Sequence, residues 1–369
     1  MATFIDLTAP SSRRSFVGAC ATLAAALGLG AACAPALAAE SSKKDASAAS
    51  AEAAGSAASD APKAVVTDAF PITIKHALGE TVIEKAPERV ACVSWGNQDA
   101  PLALGVAPVG FSAANYGVKE GEKMFFWTAD AYERLGVSDY AVFDDTDGVD
   151  FEAVSDTRPD LILTVYSGIT QEDYDRLAKI APVVPYLEQP YFTSWREMTT
   201  VSAQALGMKE AGEKLVADTD ELIADTLAAH PNLKDKTAAF VMFNATDPSK
   251  FYVYVHVDPR AAYLEDLGLQ LPESLKELTK DEPTIAATLS SEVADQLGDL
   301  DLMVAYGDEA FLQQMQADPL MGTVPCVAAG HVALIPSDSY LAGAGNPSVL
   351  SIQATVEEFV QLLDDAVSK

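Results

Sequence analysis

The chain has 369 residues, of which 24 are Lys or Arg and 54 are Asp or Glu, giving a formal net charge of −30; 49% of it is apolar and 21% charged. That apolar share can build a core and excludes a wholly disordered chain, and with no basic excess the chain is not a nucleic-acid binder that works by releasing phosphate counterions. One long apolar stretch, at the N-terminus, excludes a multi-span membrane protein, and the length allows roughly two domains.

Residues 1–39 read as an export address. Ser12-Arg13-Arg14-Ser15-Phe16 precedes a Leu/Ala/Gly run and resembles a twin-arginine (Tat) signal. Ala36-Leu37-Ala38 suits an ordinary signal peptidase. Gly30-Ala31-Ala32-Cys33 resembles a bacterial lipobox, with Gly30 where Leu is usual, and marks Cys33 for lipidation. The lipidated form is the reading carried forward; an uncleaved anchor is the plain alternative, and all three put the body outside the cytoplasm. The segment 40–66 is rich in Ala and Ser, cannot bury enough surface to offset its ordering entropy, and reads as a flexible tether.

An N-terminal α/β lobe is expected over 67–192. FPITIKHALGETVIEK alternates apolar residues about a Gly79 turn, a hairpin pattern, and RVACVSW is a short buried strand. GNQDAPLALGV is helical until Gly105, and PVGF is a further strand. FEAVSD is a short helix ahead of the strand LILTVY, QEDYDRLAKI a helix, and PVVPYL another strand. Strands alternating with helices imply parallel βα units. A connecting segment over 193–230 reads as helix broken at Gly207, its long second part carrying Leu215, Val216, Leu222, Ile223 and Leu227 on one face.

The C-terminal lobe, 231–369, repeats the first. TAAFVMF is a strand, RAAYLEDLGL a helix stopped at Gly268, SSEVADQ a short helix ahead of the strand ending at Tyr306, and HVALIP a last strand before a C-terminal helix from about Ser348. Glu152 and Glu292 open the two short helices in matching places. The repeated order argues for two α/β lobes related by pseudo-symmetry. Cys92 and Cys326 lie in the body; export permits a disulfide, but their apolar flanks favour two buried free thiols.

Common catalytic signatures are missing: no G-x-S-x-G, no P-loop, no HExxH, no CxxC, and Gly343-Ala344-Gly345 lacks the third glycine of a dinucleotide fingerprint. Asp145-Thr146-Asp147-Gly148 hints at a calcium loop but lacks the acids an EF-hand needs at Phe143 and Val154. The 4 histidines are scattered, so no direct metal site is expected, although His256 stands in the unusual stretch FYVYVHVDPR. The aromatics say more. In open α/β sheets ligands meet the carboxyl ends of the strands. Trp95, Gln98 and Tyr166 fall there in the first lobe, and Tyr254, Arg260, Tyr306 and Tyr340 in the second, with Trp195 and Arg196 at the start of the connecting helix. Aromatic area plus forked guanidinium donors suits a large, flat or polyoxygenated organic ligand, often an anionic one.

The series FPITIKHALGETVIEKAPERVACVSWGNQDAPLALGVAPVG, FEAVSDTRPDLIL and RAAYLEDLGL, followed by DPLMGTVPCVAAGHVALIPSDSY, resembles the substrate-binding proteins of ABC importers for iron–siderophore complexes, cobalamin and haem. The resemblance covers about residues 70–369. It implies two Rossmann-like lobes, with central sheets flanked by helices, joined by a single long α-helix. It also implies a monomer that performs no chemistry and needs no cofactor of its own, since the iron travels inside the ligand. Its partners would be the permease and ATPase, with Glu152 and Glu292 matching the glutamates that dock on permease arginines. GNQD after the first strand points to the siderophore branch, in which ferric siderophores of net negative charge are held by Arg and Lys, so that Arg196 and Arg260 are the candidates; haem, through His256 or a cleft tyrosine, and cobalamin are the alternatives. A chelatase-like metal-inserting enzyme on the same architecture and an exported scaffold are the rivals from other classes.

Overall fold

The computed structural model describes residues 65–243 and 249–369. The export signal, Cys33 and nearly all of the tether lie outside the described residues. A hairpin opens the body: β1 (Ile72–His76) pairs antiparallel with β2 (Gly79–Ile83), and its buried side chains Ile74 and Ile83 face the first lobe's core. The first lobe then runs β3 (Val90–Cys92), α1 (Asp99–Ala103), β4 (Gly110–Ser112), α2 (Phe126–Leu135), β5 (Ala141–Phe143), α3 (Phe151–Asp156), β6 (Leu161–Thr164), α4 (Gln171–Leu177) and β7 (Val183–Pro185). All five strands from β3 to β7 are parallel, in the order β5-β4-β3-β6-β7. Strand order reverses at β3, so a crevice opens beyond its carboxyl end, where Ser94 and Trp95 stand.

Two consecutive helices connect the lobes, α5 (Trp195–Ala205) and α6 (Lys209–Ala228), and the break falls at Gly207, whose φ is 70°. The 20 residues of α6 span about 30 Å. Its expected apolar face packs inward, with Ile223 buried and Leu215, Val216, Leu222 and Leu227 packed against the core.

The second lobe comprises β8 (Ala238–Phe243), β9 (Lys250–Tyr254), α7 (Pro259–Asp266), α8 (Glu273–Thr279), β10 (Ala286–Ser290), β11 (Leu302–Tyr306), α9 (Glu309–Ala317), α10 (Pro325–Ala329), β12 (Val332–Ile335), α11 (Tyr340–Ala344) and α12 (Val349–Val367). Its sheet order, β10-β9-β8-β11-β12, mirrors the first. Strand direction does not: β8, β11 and β12 are parallel, whereas β9 and β10 are antiparallel to their neighbours. The expected repeat of parallel units is corrected on this point. The link from Phe243 to Lys250 is too short for a crossover helix, which takes about a dozen residues or more, so β9 returns beside β8 as a hairpin arm. The helix carrying Glu292 is likewise a 3₁₀ turn, Ser291–Gln296.

The lobes do not have separate cores. Ala100 of α1 and Trp195 of α5 lie in the cluster built mainly by the second lobe, and Ala344 and Leu350 of the second lobe lie in the cluster built by the first. Cys92 and Cys326 are buried, free thiols in different clusters. Among the described residues, no helix is long and apolar enough to cross a membrane.

Candidate functional site

On the second lobe's side of the seam a buried cluster forms around Arg260. Asp258 caps α7 by accepting the Arg260 backbone N–H at 2.8 Å, and Pro259 follows at the first helical position, where its missing N–H costs nothing. The same carboxylate takes Arg260 Nη2 at 3.1 Å, with the side chains only 0% and 12% exposed. The guanidinium lies over the Tyr254 ring, 4.1 Å from its centroid. Arg260 Nε is buried and has no hydrogen-bond partner. Burial works against the Arg260 charge, but Asp258 and the neighbouring phenols more than offset it, so the guanidinium stays charged.

Those phenols come from both lobes. Burial pushes the hydroxyls of Tyr166, Tyr254 and Tyr306 up, and in each case the Arg260 charge pulls the other way. Tyr306 ends β11, 5.1 Å from the Phe240 ring, and meets Tyr116 of the first lobe edge-on at 5.3 Å. Tyr166 follows β6. Asn97 fixes its backbone, accepting its N–H at 3.1 Å and donating to its carbonyl at 3.0 Å, while Asn346 of the second lobe donates to its hydroxyl at 3.2 Å. Tyr191, with its backbone at φ 65°, sets its ring edge-on to Tyr166 at 5.6 Å.

An aromatic ladder lines the first lobe's side. Half-buried Trp95 meets Phe125 edge-on at 5.6 Å, and Phe125 stacks on Trp127 at 4.3 Å. Phe126 meets Tyr340 of the second lobe at 5.2 Å. Gly343 permits this approach: a Cβ there would stand 2.2 Å from Phe125 Cζ. The structure therefore gathers Tyr166, Tyr254, Arg260 and Tyr306 into one cluster, with Trp95 and Tyr340 on an adjoining ladder. The Tyr340 hydroxyl is spent on Glu358, at 2.6 Å.

Four of the expected residues stand apart from this cluster. Gln98 is buried and its amide donates to Asp99 at 3.0 Å, because the first turn of α1 points into the lobe junction. Trp195 is 2% exposed, part of the core, and donates its indole N–H to Asp266 at 2.9 Å. Arg196 is clasped by Asp220 of α6 at 2.5 Å and Asp266 of α7 at 2.7 Å, so its donors hold the connector to the second lobe. His256 is carried by antiparallel β9 past the amino end of β8, where it lines a recess with Ala238, Ala239 and Glu265.

Glu152 and Glu292 stand exposed on the first turns after the capping residues Asp150 and Ser290. Asp145, in the suspected calcium loop, turns inward and accepts from the Ser112 hydroxyl and the Ser94 N–H. No group of three or more His, Cys, Asp or Glu able to hold a metal occurs among the described residues. Sequence reasoning missed Tyr116, Phe125, Tyr191, Asp258 and Asn346. Only Asp258 carried a legible signal, an Asp-Pro helix start that places Arg260 in the first turn.

Residues 90–339 match the profile of the periplasmic binding protein family. The chain belongs to that family. This binding protein is 46% identical to PiaA of Streptococcus pneumoniae TIGR4, solved in complex with ferrichrome, over 80% of this chain and 99% of that one, with a TM-score of 0.77. It is 28% identical to the "Probable siderophore-binding lipoprotein YfiY" of Bacillus subtilis (strain 168) over 63% of this chain and 67% of that one. Staphylococcus aureus SirA, solved with staphyloferrin B, shares the fold at 23% identity and a TM-score of 0.61, covering 79% of this chain and 98% of that one.

Proposed function

We propose that this protein is the extracytoplasmic substrate-binding component of an ABC importer and carries a ferric siderophore of the hydroxamate class in the crevice between its lobes. The observation that carries the ligand class is the charge balance around Arg260. Its guanidinium is already neutralised by Asp258 at 3.1 Å, and the rest of the cluster is phenol, amide and aromatic ring. Three hydroxamates on Fe³⁺ make a neutral complex. Its oxygens can accept from the partnerless Arg260 Nε and from tyrosine hydroxyls, and its organic faces can lie on rings. A tricatecholate complex, strongly anionic, would enter a buried site without surplus positive charge, which is costly. The likeness to ferrichrome-bound PiaA supports the same class. Of the two axial ligands that haem could use, His256 lies outside the cluster and the tyrosines lie within it, so haem stays in the ligand panel below.

Capture and delivery need no bond-making by the protein, in keeping with relatives that are binding proteins. Exposed Glu152 and Glu292, one on each lobe, suit docking on a two-fold set of permease guanidiniums through charge-assisted pairs. The N-terminal address and Cys33 suit a lipid anchor that holds the body at the outer face of the membrane.

The ligand class is tested by tryptophan quenching with ferric ferrichrome, a ferric tricatecholate, ferric citrate and haem. Ferrichrome should bind tightest, by an order of magnitude or more; preference for citrate, catecholate or haem sinks the hydroxamate assignment. Docking is tested by Glu152→Lys combined with Glu292→Lys. Uptake should fall to background with ligand affinity unchanged, and loss of affinity would mean those residues serve the crevice instead.

A further inference from the structure

Beneath the aromatic ladder lies a carboxylate that ligand contact does not use. Asp99, at the start of α1, is 2% exposed. Four side chains donate to it: Gln98 Nε2 at 3.0 Å, Trp127 Nε1 at 3.1 Å, Thr128 Oγ1 at 3.1 Å, and the hydroxyl of Ser348. Three of these donors belong to the first lobe. The fourth, Ser348, is the residue that caps α12 of the second lobe, where its own oxygen accepts the Ser351 N–H at 3.1 Å. One buried acceptor thus ties the lobes together at their seam.

Both ties lead to the crevice. Trp127, held by Asp99, stacks on Phe125, which backs Trp95. Just upstream of Ser348, Asn346 donates to the Tyr166 hydroxyl, and Gly343 takes the Phe125 ring. All four donors to Asp99 are neutral. The titratable groups that feel its charge are Cys92 of β3 and Tyr132 of α2, each pushed up mainly by burial. An ionised carboxylate makes charge-assisted hydrogen bonds with these donors, whereas a protonated one loses that assistance and becomes a donor itself.

We propose that Asp99 is a positioning residue: its carboxylate latches the cap of α12 to the first lobe's aromatic wall, so that the grip on ligand depends on its ionised form. The consequence for ligand rests on the crevice being the siderophore site; the latch itself does not. Burial pushes the Asp99 carboxyl up from 3.8 to about 6, against the pull of its four donors, which puts loss of the latch within a mildly acidic range. The folded state therefore holds this proton more tightly than the unfolded chain. The group favours folding most below pH 3.8, and that contribution is lost as pH rises through 6. The carboxylate is thus kept at neutral pH at a cost in stability.

The test uses the full chain and Asp99→Asn, which keeps the shape and removes the charge. Without ligand, near-UV circular dichroism of wild type in the tryptophan band should titrate near pH 6, reporting Trp127, and Asp99→Asn should lose that tryptophan component; buried Asp258, also pushed up to about 6, acts on the tyrosine band through Tyr254. With ferric ferrichrome at pH 7.5, the variant should bind about tenfold more weakly, the loss of roughly one charge-assisted bond's worth of positioning. Its melting temperature there should equal or exceed that of wild type, a result that general unfolding would not produce. Between pH 7.5 and 5.5 wild-type affinity should fall more steeply than that of Asp99→Asn, whose remaining pH dependence comes from Asp258. Ser348→Ala, which removes only the cross-lobe donor, should weaken binding in the same direction and serves if Asp99→Asn does not fold. A titration that persists unchanged in Asp99→Asn, or equal affinities at pH 7.5, overturns the latch. If wild type binds no ferric hydroxamate, the siderophore reading fails, and the ligand-free titration still decides the latch.

Discussion

Two arginines with the same sequence credentials end in opposite employments. Arg196 and Arg260 both stand in the first turn of a helix, and both lie over a neighbouring aromatic ring, Trp195 at 4.4 Å and Tyr254 at 4.1 Å. Arg196 faces two carboxylates and satisfies Nε, Nη1 and Nη2 between them. Arg260 faces one carboxylate, keeps Nε unpartnered, and is ringed by phenols drawn from both lobes. Of the two, only Arg260 keeps a donor that its own fold does not use, which is what the proposed ligand role asks of it. The clasp around Arg196 joins the connector to the second lobe, while Arg260 keeps one buried donor unpartnered.

That contrast can be broken by substitution. Arg260→Ala should have the largest effect. It strands buried Asp258 without its cation, at about 3–5 kcal/mol of stability, and it should abolish measurable ferrichrome binding in quenching titrations. Arg260→Lys, which keeps the charge but not the fork, separates the two effects: most of the stability should return, but little of the affinity. Gly343→Ala comes next. Its methyl group would collide with Phe125 at the lobe contact, costing about 1–3 kcal/mol by overpacking and lowering both the melting temperature and affinity. Arg196→Ala should be mildest, since the side chain is 36% exposed and such pairs contribute about 1 kcal/mol or less. Its melting temperature should drop slightly with affinity unchanged. If Arg196→Ala instead costs more ligand affinity than Arg260→Ala, the contrast is reversed and the crevice has been misplaced.

The two lobes also differ in how far the sequence could be read. In the first, RVACVSW, PVGF, LILTVY and PVVPYL alternate with helical patterns, and their parallel order follows from that alternation, whereas α2 and β5, between residues 113 and 150, stand outside that reading. In the second, FYVYVHVDPR stands out only as an unusual stretch, and even its β-rich composition carries no mark of direction, because period and β-propensity are the same for parallel and antiparallel pairing. Only the short link after Phe243 forces the hairpin. That reversal sets His256 at the amino end of β8, apart from the cluster that holds Tyr254 and Arg260. The matching places of Glu152 and Glu292 survive, since a capped first turn exposes its second residue in an α-helix and a 3₁₀ turn alike.

Local chemistry was written into the chain directly: the hairpin about Gly79, helix ends at Gly105 and Gly268, the break at Gly207, and the capped start of α12 at Ser348. These depend on backbone freedom, capping atoms and periodicity, each set by a few adjacent residues. The partners of each polar side chain were decided only in three dimensions. Whether Trp195 lines a crevice or fills a core, whether Gln98 meets ligand or Asp99, and which arginine keeps a free donor all depend on atoms far away in sequence. Burial and hydrogen-bond satisfaction are properties of the packed whole, and no short stretch of sequence contains them.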